Sequence, residues 1–581
     1  MKVFFSSFLG VIAGLFFIFF ITIIAGVAIA SSSSSKETGI LEKSTLKINL
    51  DGVIEDRPDK ANQLLAELID QPTTLSLTEM LLSIEAASKD PKIEAIWLKM
   101  GLFEAGYASL QELRNALEKF QNEGKTIISS GKIYSQKAFY LASISDEKII
   151  VPQGVMEISG LSSAPIYWKD AFDKLGVKAH LIRGNDNIYK SAGEPFIASK
   201  MSKANKEQTT ARLNSLWSSI EKDIFESIPE LSESKDWQNI LNNQPLVQAS
   251  DAINYGLMDH AIYPDSMKGF LKHVLSHKVK DDQIVGLSKY NKSIEKASGM
   301  SKIAVLIAEG NIVDGNGSGK GSVTDGGMGK AIKSIRKDKR IEAVIFRINS
   351  PGGSALASDM IWNDISLLAE EKPVYVSMGN VAASGGYYIA APCEKIYASP
   401  MTITGSIGVF GLLFSAEDLM HDKLGIKTQP VGTHPLSNLI TIDNDLSESA
   451  LSVLQNNVNK TYDRFKEVVS EGREIDIKKV DSLAKGHVYS GSDALEIGLV
   501  DEYGGLLDVI GEIQSNLDKP ARLVFYPKQK DPIQEVLEKI KVKTNNIFFS
   551  SKSKILKNIE EKIKVLEDLE GTQMRLLDYE F

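Results

Sequence analysis

Charge is missing from the first long stretch of the chain. VFFSSFLGVIAGLFFIFFITIIAGVAIA, residues 3–30, holds no ionisable side chain. At about 1.5 Å per residue, a helix of that length exceeds the ~30 Å hydrocarbon core, so the pattern predicts a membrane-spanning anchor over 1–30. A cleaved signal peptide ending at Ala28-Ile29-Ala30 is the alternative, but its apolar region runs only about 7–15 residues. Lys2 and the amino terminus on the short side favour an N-in orientation, with the bulk of the chain outside the cytoplasm. SSSSSK then reads as a flexible tether over 31–45. Beyond it the pattern changes. Short β-branched runs such as AVIFRI (343–348) and PVYVSM (373–378) alternate with helix-length amphipathic stretches such as ASDMIWNDISLLAEE (357–371). That alternation predicts βαβ units around a largely parallel sheet, an α/β fold. After about 520 a polar joint and a charged stretch, KILKNIEEKIKVLEDLE, predict a helical tail over 521–581, solvated or docked.

The pattern also repeats. LLSIEAASKDPKIEAIWLKM (81–100) recurs as AIKSIRKDKRIEAVIFRINS (331–350), and DKLGVKAHLIRG (173–184) recurs as DKLGIKTQPVG (422–432). SDAINYGLMD (250–259) recurs as SDALEIGLVD (492–501). Three blocks in the same order at nearly one spacing mark an internal duplication. The expected organisation is two tandem domains, 46–285 and 302–520, joined by a linker over 286–301.

Composition narrows the chemistry. The 581 residues are 43% hydrophobic, ample for more than one core. Lys and Arg number 66 against 75 Asp and Glu, a net charge of −9 spread along the chain. That spread argues against nucleic acid as a partner, which demands concentrated positive charge. The single cysteine, Cys393, rules out an intramolecular disulfide framework. No H-E-x-x-H and no Cys/His cluster occurs, so no metal or organic cofactor is expected.

One serine stands out. In NVAASGGYYIAA (380–391) Ser384 lies between paired alanines and paired glycines, directly after a predicted strand. Small neighbours let a substrate backbone approach the hydroxyl, and the Gly385 N–H faces a developing oxyanion if a helix begins there. A second donor is expected from RINSPGGSA (347–355), where Gly353 frees a backbone N–H to point into a cleft. Either stretch alone reads first as a tight strand-to-helix turn. Together in one domain they predict a site with Ser384 as nucleophile.

SPGG after a strand, followed about thirty residues on by A-S-G-G, resembles the Clp protease and crotonase fold group. With the N-terminal anchor, YKSAGEPF (189–196) in the first half and TGSIGV (404–409) in the second, the whole set resembles the long, duplicated signal peptide peptidase A family. The resemblance covers about 45–520 and implies two tandem Clp/crotonase-like domains carrying a Ser–Lys peptidase. It implies Lys190 of YKSAGEPF as the general base for Ser384. It places Ser406 as a hydrogen-bond partner holding the lysine amine. It further implies signal peptides and other unfolded apolar peptides as substrates and a bowl-shaped homotetramer. Its expected location is the bacterial inner membrane, single-pass, with the catalytic domains facing the periplasm.

A lysine base requires that its pKa fall from about 10.4 towards 7–8, by burial away from water and carboxylates. None of the seven histidines sits in a patterned neighbourhood. Aligning the halves adds an argument of its own. The first-half position matching Ser384 falls at Gln136 or Lys137, and KMGLFEAG (99–106) has lost the Pro-Gly-Gly turn. The second-half match to Lys190 falls near Asn438–Leu439, where there is no lysine. Complementary losses point to one composite site. Glu194 would oppose a neutral lysine if it faced it, so it is expected to point away into a salt bridge. GNGSGKGS (315–322) fails the phosphate-loop pattern and reads as a plain glycine-rich loop. Two other readings remain: a non-catalytic membrane scaffold derived from a protease, and a crotonase-type acyl-CoA enzyme that would need neither Ser384 nor Lys190.

Overall fold

In the computed structural model, which describes residues 39–68, 74–294, 301–317, 321–529, 531–532 and 571–575, the predicted alternation becomes one strand ladder built twice. In the first half β1 (Ser44–Glu55), β2 (Ile93–Glu104), β3 (Thr126–Tyr134) and β4 (Glu147–Glu157) pair in parallel in that order. Ile284–Gly286 flanks β1 in parallel, and Leu246–Gln248 flanks β4 antiparallel. In the second half β5 (Lys302–Glu309), β6 (Ile341–Ser350), β7 (Val374–Ala383) and β8 (Ile403–Gly405) repeat the arrangement. Arg522–Tyr526 takes the parallel flank and Val488–Ser490 the antiparallel one.

The halves share a core. Side chains alternate between faces along a strand, so β5 sends Ile303, Val305 and Ile307 into the core of the first half. Ala304, Leu306 and Ala308 line the core of the second. A strand buried on both faces reads as an unbroken apolar run, as KIAVLIAE does.

Charge is buried at the same seam. Arg347 on β6 is fully enclosed and lies 2.8 Å from Asp56 and 2.6 Å from Glu112, both from the first half. Glu309 joins them, accepting the Asp56 N–H at 2.9 Å. Burial, reinforced by the Asp56 charge, pushes the Glu309 carboxyl up to about 8. The folded protein therefore holds a proton that the unfolded chain releases near pH 4.5. Between about pH 4.5 and 8 the native state binds more protons, so stability falls as pH rises through that window. Glu309→Gln is expected to flatten this part of the stability curve in denaturant melts at pH 5–8. An unchanged slope would contradict it.

A third sheet crosses between the halves. Its order is Ser322–Thr324, Asn311–Val313, Gly352–Ser354, Gly571–Arg575, Phe410–Ser415 and Lys178–Arg183. The last two pair antiparallel from Phe410↔Arg183 to Ser415↔Lys178. This ladder carries the segment after Arg183, with Lys190 in it, into the second half.

Several expectations change. The expected linker opens as a helix, Leu287–Ser293, whose Tyr290 hydroxyl reaches Asp90 at 3.2 Å. The second ladder runs past 520 to Tyr526, and Gly571–Arg575 is a strand where a charged helix was expected. The bulk of that tail lies outside the described residues, as does the apolar run at 3–30. Among the described residues no helix is long and apolar enough to cross a membrane. The segment 173–184 forms a helix and a strand, whereas its copy at 422–432 is an exposed loop.

Candidate active site

Ser384 follows β7 at the carboxyl end of the parallel strands, where open α/β sheets place their ligands. It is buried, with φ 55° and ψ −117°, a conformation costly for a residue with a Cβ. Its N–H donates to the Gly405 carbonyl at 2.8 Å, which fixes the turn. Helix Gly385–Ala390 begins at once, so Gly385, as its first residue, has no intrahelical acceptor for its N–H. Gly386 seats this helix on the neighbouring turn: a Cβ there would lie 2.4 Å from the Ser350 carbonyl oxygen. A Cβ on Gly353 would lie 1.9 Å from the Ile312 carbonyl oxygen. The two glycine pairs are thus close-packing requirements of adjoining turns.

Lys190 arrives from the other half. Its turn is held from both sides: the Tyr189 N–H donates to Lys485 O (3.1 Å), the Gly184 N–H to Val409 O (3.0 Å) and Asn187 Nδ2 also to Val409 O (3.2 Å). The Gln208 side chain ties Tyr189 O to the Val488 N–H. Lys190 Nζ then lies 2.7 Å from Ser384 Oγ, 2.9 Å from Ser406 O and 2.9 Å from Ser406 Oγ. Lys190 is 1% exposed, and burial holds its amine well below the usual lysine value. A neutral amine has two N–H donors and one lone pair. Three contacts match that count: two donations to Ser406 and a lone pair facing the Ser384 hydroxyl. Ser406 is itself left-handed, with φ 51°, and its N–H donates to His487 O at 2.7 Å.

Gly486 closes the back of this arrangement, and nothing in KGHVYS marked it in advance. With φ 74°, it sits where a Cβ would come within 2.6 Å of Lys190 Cβ. Gly486→Ala is expected to move the amine and lower kcat by about 10²-fold, since ångström-scale misplacement costs that much. Circular dichroism should stay native; a kcat within twofold of the parent would contradict the role.

Glu194 points away from Lys190, as expected, but not into a salt bridge. It is buried and accepts a hydrogen bond from Asn205 Nδ2 at 2.7 Å, so an amide satisfies it in place of a cation. No histidine among the described residues bonds Ser384. The nearest by backbone, His487, packs its ring between Tyr189 and Tyr489. Register identifies the first-half counterpart of Ser384. Tyr134 pairs with Met156 as Ala382 pairs with Thr404, and two residues further on stand Gln136 and Ser384. Gln136 accepts the Ser159 and Gly160 N–H groups at 3.0 and 2.7 Å and offers no nucleophile. Asn438, near the expected counterpart of Lys190, is exposed in an irregular loop. In the glycine-rich loop the Gly315 N–H donates to Asp325 Oδ1 at 2.7 Å, so a carboxylate sits where a phosphate would have to bind.

A profile of Peptidase family S49 matches residues 119–264 and 366–519, one segment in each half, and the chain belongs to that family of serine-type peptidases. Within it the likeness is to the long form. The chain is 31% identical over 525 residues to Protease 4 of Haemophilus influenzae, covering 86% of this chain and 83% of that one. Protease 4 of Salmonella typhi is also 31% identical, over 536 residues that span 86% and 82% of the two chains. The chloroplastic serine protease SPPA of Arabidopsis thaliana is 29% identical over 480 residues, 80% of this chain and 70% of that protein. A solved ClpP1 structure from Listeria monocytogenes, 17% identical, covers 35% of this chain and 92% of that one at a TM-score of 0.24, too loose to carry an argument.

Proposed function

We propose that the chain is a membrane-anchored serine endopeptidase in which Ser384 and Lys190 form the reacting dyad. The observation that carries this reading is the 2.7 Å contact between Lys190 Nζ and Ser384 Oγ in a buried, carboxylate-free setting. Lys190 accepts the Ser384 proton as Oγ bonds to the scissile carbonyl carbon. The N–H groups of Gly385 and Gly353 stabilise the oxyanion. The C–N bond then breaks, and Lys190 passes its proton to the leaving amine. Water attacks the acyl-enzyme ester, gives its proton to Lys190, and Ser384 is restored as the acid product leaves. Ser406 fixes the amine through its carbonyl and hydroxyl oxygens, a positioning role.

The substrate class follows the relatives: a protein of Enterococcus faecium named for signal peptide peptidase SppA is 37% identical over 186 residues, 32% of this chain and 53% of that one. We infer that the substrates are cleaved signal peptides and other unfolded apolar peptides. The charge-free run at 3–30 would hold the enzyme at the inner membrane with its domains on the periplasmic side. A homotetramer with inward-facing sites would keep folded proteins out. The test is hydrolysis of a fluorogenic Ala/Leu-rich peptide by the full chain in detergent across pH 5–11. Activity should rise with pH through a single proton loss well below 10.5. A chain that is folded and inert towards every such peptide would leave the scaffold reading.

A further inference from the structure

The third sheet contains a strand that the mechanism does not use. Gly571–Arg575 lies between Gly352–Ser354 and Phe410–Ser415 and runs antiparallel to both. Gly352, Gly353 and Ser354 face Arg575, Met574 and Gln573 on one edge; Phe410, Gly411 and Leu412 face Gln573, Thr572 and Gly571 on the other. Without this segment the two flanking strands would stand one strand apart, about 10 Å, each with unpaired main-chain groups turned to the gap.

That gap adjoins the dyad. Gly353 belongs to the turn on which the Ser384 helix rests, and Phe410 follows Ser406 by four residues on the same connection. A slot with two open strand edges selects an extended peptide by its backbone, with little regard to its side chains. This is the recognition that a peptidase for unfolded chains requires.

We propose that the slot between Gly352–Ser354 and Phe410–Ser415 is the peptide-binding surface, and that residues 571–575 are its resident occupant, which incoming peptide must displace. The inference rests on the reading of Ser384 and Lys190 as the reacting pair. A tethered strand meets its slot at an effective concentration reaching millimolar, so even a weak pairing keeps the site closed to dilute peptides. The device suits a peptidase whose substrates are concentrated locally and whose idle site endangers its neighbours.

The test uses the full chain with Ser384→Ala, so that binding is read without cleavage, with and without Thr572→Pro and Gln573→Pro. Consecutive residues direct their N–H groups to opposite edges, so the two prolines remove one donor towards each flanking strand. The probe is a fluorescein-labelled peptide of residues 570–581. It should bind the proline-bearing chain at least tenfold more tightly than the parent, and an unlabelled Ala/Leu-rich peptide should compete for the same place. Amides of 352–354 and 410–412 should exchange faster with deuterium in the proline-bearing chain and regain protection when the probe is added. Equal probe affinity for the two chains, absent binding to both, or failure of the competitor would each overturn the proposal. Failure of the dyad reading is separately visible: the chain with Ser384 intact, with or without the prolines, would then cleave no peptide.

Discussion

Exchanging Ser384 for alanine or Lys190 for methionine is expected to lower kcat/KM on the fluorogenic peptide by at least about 10³-fold, since neither half of a nucleophile–base pair works alone. The double variant should be no worse than either single one, because residues that act as a unit lose their whole contribution at the first deletion. Methionine keeps the bulk of the lysine stem and removes the amine, so packing around Tyr189 and Gly486 should hold. The lysine also leaves a mark on stability. Its folded pKa is lowered by burial, so between that value and 10.5 the unfolded chain binds the extra proton. Wild-type stability therefore falls as pH drops through that window, by up to about 1.4 kcal/mol per pH unit, and below it the full cost is present. Lys190→Met removes this dependence. Variants that are native by circular dichroism, equal in assembly and still active within tenfold of the parent would dismiss the pair.

The second large effect concerns the seam between the halves. Arg347→Met is expected to destabilise the protein by about 3–5 kcal/mol, the cost of removing one partner from a buried ion cluster. Arg347 Nη2 is the cation facing both Asp56 and Glu112, and its other nitrogen reaches Ser377 Oγ at 2.9 Å. Without it two buried carboxylates face each other and a raised Glu309 with no cation to offset them. One route of relief is protonation, so the loss should shrink as pH falls towards 5. Urea melts at pH 8 and pH 5 read both. A change below about 1 kcal/mol at pH 8 would show that the cluster does not hold the halves together. Because β6 runs from Arg347 into the Ser350–Gly353 turn, activity should fall in step with unfolding rather than before it.

How much of this was legible in the chain depends on the reach of each interaction. The ladder was legible because β-branched runs and amphipathic stretches are local, and its doubling because the copies kept their order. Ser384 was legible from its small neighbours and their place after a strand. The partnership with Lys190 was legible only because each copy had lost what the other kept. Arg347 was visible inside a buried run, yet its partners lie 291 and 235 residues away, beyond any local pattern. Glu194 showed that a charge needed a partner without showing that an amide, Asn205, would supply it. The strand at Gly571–Arg575 was illegible. GTQMR has no apolar period, and its pairing comes wholly from edges that other segments leave open.

The central claim is that one lysine from the first half activates one serine from the second. The most direct measurement is covalent trapping: the full chain in detergent is treated with an Ala/Leu-rich peptidyl fluorophosphonate across pH 5–11, and the modified residue is read by mass spectrometry. The account predicts modification at Ser384, at a rate that rises through a single proton loss well below pH 10.5, and a chain with Lys190→Met that stays unlabelled over the same time. Label on another serine, or labelling of Ser384 at the parental rate after Lys190→Met, would contradict it.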